Sequence, residues 1–154
     1  MAFEFPIRIY WEDTDAGGVV YHAQYLAFME RARSEWLREI GFGQELLRDT
    51  HGLCFVVRSM SIDFRAPARL DDALSVSVGL AQCRGASLVF AQEVRRDDAL
   101  LVGAEVRVAA VDAERFRPLP GLAPPGPASR LDALDTEMRR GRRMDRARRA
   151  TDQQ

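Results

Sequence analysis

One short stretch of this chain gathers residue types able to do chemistry: Trp11-Glu12-Asp13-Thr14-Asp15-Ala16-Gly17-Gly18-Val19-Val20-Tyr21-His22. It sets an acid just before a glycine loop that leads into a long helical pattern. A helix start offers unpaired N–H groups and the equivalent of about half a positive charge. It can therefore hold a developing oxyanion, while a nearby carboxylate acts as nucleophile or general base. On the residues alone the plainer role weighs more, with Asp13 and Asp15 simply capping a turn and a helix. Tyr21 and Tyr25 flank the stretch; either could touch a bound group, although an aromatic ring at a helix start more often belongs to the core. The chain has no G-x-S-x-G, no Walker loop, no G-x-G-x-x-G and no Cys/His ligand spacing. His22 and His51 stand far apart and accompany no such motif, so neither a metal nor a cofactor is expected.

The elements that must position this stretch follow from hydrophobic period. Residues 5–13 read as a strand, with Ile7, Ile9 and Trp11 alternating with Arg8, Tyr10 and Glu12. From about residue 22 to 40 the period lengthens. Leu26, Met29, Ala32 or Arg33, Trp36, Leu37 and Ile40 mark one face of a helix that Gly41 stops. A connector over residues 43–52 follows, then strands over 53–65, 73–82, 87–96 and 100–112. Arg84-Gly85 and Asp97-Asp98 are the tight turns. Such short turns join antiparallel neighbours, and the four strands are expected to form a meander. One amphipathic helix on one antiparallel sheet makes a two-layer α+β domain.

At 154 residues, 47% apolar and 29% charged, the chain has room for one globular domain. It has no apolar run long enough to span a bilayer and no basic segment preceding an apolar one near residue 1. A cytoplasmic location is expected, with Cys54 and Cys83 as small, partly buried thiols and no disulfide. All 22 basic residues are arginine. Residues 1–136 carry 15 Arg against 20 acids, a balance of −5, whereas residues 137–154 carry 7 Arg against 3 acids, a balance of +4. An acidic body argues against nucleic acid as a partner. Five of the seven prolines lie between 118 and 127, ahead of the arginine cluster, and mark an extended arm and a partly disordered tail. Clustered arginines would allow weak contact with an anionic membrane surface.

The run from Arg8 to Leu37, Arg-Ile-Tyr-Trp-Glu-Asp-Thr-Asp-Ala-Gly-Gly-Val-Val-Tyr-His-Ala-Gln-Tyr-Leu-Ala-Phe-Met-Glu-Arg-Ala-Arg-Ser-Glu-Trp-Leu, strongly resembles the 4-hydroxybenzoyl-CoA thioesterase family. Within that family it is most similar to the YbgC branch, acyl-CoA thioesterases associated with the Tol-Pal system. Asp63-Phe64-Arg65-Ala66-Pro67-Ala68-Arg69-Leu70-Asp71-Asp72 is similar to the family's second strand and turn. Val111-Asp112 with Phe116-Arg117-Pro118-Leu119-Pro120 is similar to its closing strand. The resemblance spans about residues 4–122. It implies a hotdog domain over 1–122, with the Pro-rich arm and Arg-rich tail at 123–154 outside it.

What the resemblance implies is a hotdog fold, a long central helix wrapped by a curved antiparallel sheet, in a homodimer or homotetramer. The implied activity is hydrolysis of an acyl-CoA, or of an acyl-carrier-protein thioester, without cofactor. Asp15 matches the family's catalytic carboxylate. The oxyanion donor falls on the backbone amide of His22, whose imidazole also matches a histidine typical of the branch. Gly18, Val19, Tyr21 and Tyr25 are the expected substrate contacts, and Asp13 matches with a structural role. Arg58, Arg65, Arg69, Arg95 and Arg96 are candidates for the CoA phosphates, with none singled out. Two other classes stay open: a cytoplasmic interaction module for lipid-synthesis or envelope machinery with vestigial hydrolysis, and a dehydratase. The latter is disfavoured because its usual histidine does not stand where Asp15 does.

Overall fold

The structure, a computed structural model, describes residues 3–118; the expected arm and tail beyond Pro118 lie outside the described residues. The elements are β1 (Phe3–Arg8), a 3-10 turn (Trp11–Asp13), α1 (Gln24–Glu39), α2 (Gln44–His51), β2 (Leu53–Phe64), β3 (Ala73–Arg84), β4 (Ser87–Arg96) and β5 (Ala99–Asp112). The five strands form one antiparallel sheet in the order β1-β3-β4-β5-β2, and α1 lies against it. The α+β hotdog architecture is as expected.

Helix α1 buries Tyr25, Phe28, Met29, Ala32, Arg33 and Leu37, linked by three- and four-residue steps, over Val76, Val78, Phe90, Val94, Val102 and Val106 of the sheet. The expected face was rotated slightly. Leu26 is exposed, while Tyr25 and Phe28 take the core, and Ala32 and Arg33 are both buried. Two-residue turns close β3–β4 and β4–β5, with Gly85 and Asp97 in the left-handed region at φ +57° and +51°.

Three expectations need correction. The first strand ends at Arg8 rather than near residue 13, because a turn at Trp11–Asp13 leaves Tyr10 and Trp11 exposed. Residues 44–51, read as connector, form helix α2. Its period was too short to see, since only Leu47 of its two leucines is buried, and packing on β2 supplies what propensity does not. Finally, only β3, β4 and β5 form a meander. β2 pairs with β5, Leu53 opposite Asp112 through Phe64 opposite Val102, and so lies at the far edge from β1.

The crossover over residues 65–72 explains that order. Arg65 and Ala66 both donate to the Leu101 carbonyl, at 2.8 and 3.1 Å. Ala68 donates to the Tyr25 hydroxyl at 3.0 Å and accepts from the Val20 N–H at 2.8 Å. Asp71 and Asp72 then exchange backbone bonds with Ile9, each 3.0 Å. The segment thus leads from the end of β2, beside β5, across the start of α1 to β3, beside the end of β1, a path that a hairpin turn could not make. Asp72 fastens its end: one carboxylate oxygen accepts from the Arg69 N–H at 2.9 Å and from Arg96 at 2.7 Å.

A buried polar staple joins α1 to the sheet at mid-helix. Arg33 donates to Gln92 Oε1 at 2.8 Å, and Gln92 Nε2 donates to the carbonyls of Met29 and Ser77 at 3.1 and 3.3 Å. Burial pulls the guanidinium below its ordinary value, and the charge of Glu30 pulls it partly back. Gln92→Leu should cost about 2–4 kcal/mol in urea unfolding, because it strands a buried cation without its acceptor. Adding Arg33→Met should recover part of that loss; a double variant no better than the single one would contradict the staple.

The Asp72 clasp carries a pH dependence. Burial alone would raise its carboxyl, but the Arg69 N–H and Arg96 outweigh burial and hold it below the ordinary value of 3.8. A folded-state value below the unfolded one stabilises the protein above the unfolded value, and the contribution is lost as pH falls through the folded one. Asp72→Asn should therefore lower stability at neutral pH by about 1 kcal/mol and flatten the acid limb of a Tm-versus-pH curve.

Candidate active site

The loop between β1 and α1 is built on the Asp13 side chain. Its carboxylate is buried and accepts the Tyr10 N–H at Oδ2, 2.8 Å. At Oδ1 it accepts the side-chain amide of Gln24, the first residue of α1, 2.7 Å away. The Asp13 carbonyl accepts the Tyr21 N–H at 2.9 Å. One residue thus ties the end of β1 to the entry of the helix.

Between these ties the chain makes a narrow hairpin. Thr14 and Val20 form an antiparallel bridge, Asp15 N–H donates to the Val19 carbonyl at 3.0 Å, and Gly18 N–H donates to the Asp15 carbonyl at 3.0 Å. Gly18 sits at φ +76°, a conformation that a side chain would strain. Gly17 approaches so closely that a Cβ there would lie 3.0 Å from Asp15 Oδ1. Its N–H instead donates to that oxygen at 2.8 Å. Asp15 is exposed, and its other oxygen has no protein partner among the described residues.

The helix start lies directly after the hairpin. Gln24 N–H bonds back to the Tyr21 carbonyl at 2.9 Å, whereas the N–H groups of His22 and Ala23 find no acceptor among the described residues. No side chain caps this end. Unfilled N–H groups and an engaged but exposed carboxylate therefore lie on one short loop, groups of the kind that acyl transfer uses.

The other expected contacts divide. Gly18, Val19, Tyr21 and His22 are on this accessible loop, with Val19 half-buried and the rest exposed. Tyr25 is in the core beneath, its hydroxyl held by Ala68. Phe64, for which no local sequence pattern suggested a place here, brings its ring to His22 from the end of β2. Arg65, Arg95 and Arg96 pair with Asp63, Glu93 and Asp72, while Arg58 and Arg69 are exposed. No disulfide joins Cys54 and Cys83; burial and the nearby Asp112 push the Cys54 thiol up. Among the described residues no three His, Cys, Asp or Glu side chains are grouped to hold a metal, and no helix is long and apolar enough to cross a membrane. A cavity of about 230 Å³ between α2 and β2, lined by Gln44, Leu47, Arg48 and Cys54, does not reach this loop. Within one chain, the hairpin lies open to solvent.

Known proteins share this sequence and fold. Residues 17–102 match the family model described as Thioesterase superfamily. The chain is 47% identical over 117 residues to the acyl-CoA thioesterase YbgC of Haemophilus influenzae, covering 76% of this chain and 86% of that protein. It is 50% identical to the acyl-CoA thioester hydrolase YbgC of Escherichia coli O157:H7, covering 75% and 87%. Its backbone is similar to that of a "Probable Thioesterase" from Bartonella henselae, with a TM-score of 0.74 and 40% identity over 77% of this chain and 97% of that one. The chain belongs to the thioesterase superfamily, as a thioester hydrolase of the hotdog fold.

Proposed function

We propose that the protein hydrolyses acyl-CoA thioesters to the free acid and CoA, with Asp15 as the reacting carboxylate. The observation that carries this is the Asp15 side chain held one hairpin away from the unfilled N–H groups that open α1. The His22 amide polarises the thioester carbonyl and stabilises the charge that develops on its oxygen. Asp15 then follows one of two routes. It attacks the carbonyl carbon, expelling the CoA thiolate and leaving a mixed anhydride that water opens, or it takes a proton from a water that attacks directly. Either way one water is consumed, and acid and thiol are released. Its Gly17 N–H bond keeps the carboxylate in one orientation. Gly18, Val19 and Tyr21 line the approach, the His22 imidazole faces it, and Tyr25 supports it from below.

The names of the YbgC relatives support CoA thioesters as the substrate class; acyl-carrier-protein thioesters are the second class to assay. We assign the activity to a domain over residues 1–122 acting in the cytoplasm; residues 123–154 take no part in it. We further infer a dimer or tetramer as the working form. Asp15, Tyr21 and His22 are all exposed, so a neighbouring subunit must wall the cleft and exclude water from it.

Thiol release from an acyl-CoA panel tests the chemistry. Asp15→Asn and Asp15→Ala should lower turnover by about 10³-fold or more while melting like the parent protein. Near-parental turnover in either folded variant would remove Asp15 from the reaction. Asp13→Asn should instead show itself mainly as lost stability, through its buried hydrogen bonds. Sedimentation at micromolar concentration should show a dimer or larger; a fully active monomer would overturn the shared cleft.

A further inference from the structure

Phe64 is the last residue of β2, in register with Val102. The next two N–H groups, of Arg65 and Ala66, are both fixed on the Leu101 carbonyl, so the backbone that carries this ring is held on both sides. The ring nonetheless stands at the margin of the core, 46% exposed. It belongs to a series of aromatic rings that climbs from the core to the hairpin. Phe28, fully buried, meets Tyr25 edge to face at 6.0 Å. Tyr25, locked by the Ala68 N–H, meets Phe64 at 5.8 Å. Phe64 meets the His22 imidazole at 6.3 Å with planes at 89°, and His22 meets Tyr21 at 4.6 Å.

The contact matters because, apart from the ring of its chain neighbour Tyr21, Phe64 is the ring that meets the His22 imidazole among the described residues. Neither imidazole nitrogen has a hydrogen-bond partner among the described residues, and the residue lies ahead of α1, where no side-chain cap fixes the chain. Edge-to-face packing restrains a ring without occupying its polar atoms. It therefore sets the direction of the imidazole while leaving both nitrogens available.

We propose that Phe64 is a positioning residue of the thioester site: its ring holds the His22 ring, and with it the start of α1 whose amide meets the carbonyl. This role rests on the site assignment made above for Asp15 and His22. The Phe64 ring passes the rigidity of the sheet to the His22 ring, beside the hydrogen bonds by which Ala68 holds Val20 and Tyr25. Loosening it displaces the oxyanion donor and the imidazole together, which weakens transition-state interactions more than ground-state binding.

Steady-state kinetics of folded protein, with melting curves recorded alongside, test this. Phe64→Ala and Phe64→Leu should lower kcat about tenfold with KM changed by less than about twofold, and Phe64→Tyr should return kcat to within about threefold. In a His22→Ala background, itself slowed, Phe64→Ala should bring no further fall in kcat. Unchanged kcat in Phe64→Leu, a change confined to KM, parental turnover in His22→Ala, or an equal further loss in the His22→Ala background would each overturn the proposal. Asp15→Asn separates the two levels. If it is inactive while Phe64→Leu matches the parent, only the positioning role fails. If Asp15→Asn turns over normally, the site assignment fails and the positioning role with it.

Discussion

A single buried carboxylate sets the geometry on which the rest of this molecule's site depends. Asp13 has both carboxylate oxygens engaged, one by the Tyr10 N–H and one by the Gln24 side chain, and its own carbonyl holds the Tyr21 N–H. A buried anion costs several kcal/mol unless it is satisfied in this way, and hydrogen bonds to a charged group each contribute about 1.5–3 kcal/mol. The three bonds fix where β1 ends, how the hairpin over residues 14–20 emerges, and where α1 begins. Asp15 and the free N–H groups of His22 and Ala23 acquire their relation from that frame. Two aspartates separated by one threonine thus stand in opposite environments, one desolvated and fully partnered, the other exposed with one oxygen free.

The crossover over residues 65–72 supplies the second constraint. It passes over the entry of α1, where Ala68 bonds both Val20 and Tyr25, and it places β2 at the edge of the sheet beside β5. Among the described residues both outer strands have open edges, but they differ. β1 has six residues and contains Pro6, whereas β2 has twelve and no proline. An edge of that length, left open by the described residues, is a ready surface for pairing with another chain, and it ends at Phe64, near the hairpin that carries Asp15. The exposure of the hairpin in one chain and the open β2 edge are the two observations behind the proposal that a neighbour completes the cleft.

Inside the domain the polar staple of Arg33 and Gln92 has a separate effect. It fixes the depth and rotation of α1 on the sheet at its centre, since Gln92 bonds a helix carbonyl and a strand carbonyl at once. Apolar packing alone tolerates small slides of a helix over a sheet; an internal network that is satisfied in only one register does not. The helix is consequently held at its start by Asp13 and Ala68 and at its centre by this staple, while its first N–H groups remain unfilled.

The sequence by itself determined what depends on local order. Alternation marked the strands, the three-to-four spacing marked α1, and Arg84-Gly85 and Asp97-Asp98 marked the hairpin turns, because these properties reside in neighbouring residues. The long motif from Arg8 to Leu37 determined the family and pointed to Asp15 and His22, since both lie within one contiguous stretch. The tertiary structure decided what depends on distant partners. It put β2 next to β5 rather than β3, stabilised α2 through one buried leucine, and rotated the core face of α1 from Leu26 to Tyr25 and Phe28. It also put Asp13 and Asp15 in opposite environments, burying one and exposing the other, a difference that their residue type and spacing do not carry. Phe64 reaches His22 only because the crossover fixes where β2 ends. Side-chain contacts across that distance in sequence leave no periodic trace, because they depend on the path of the backbone between them.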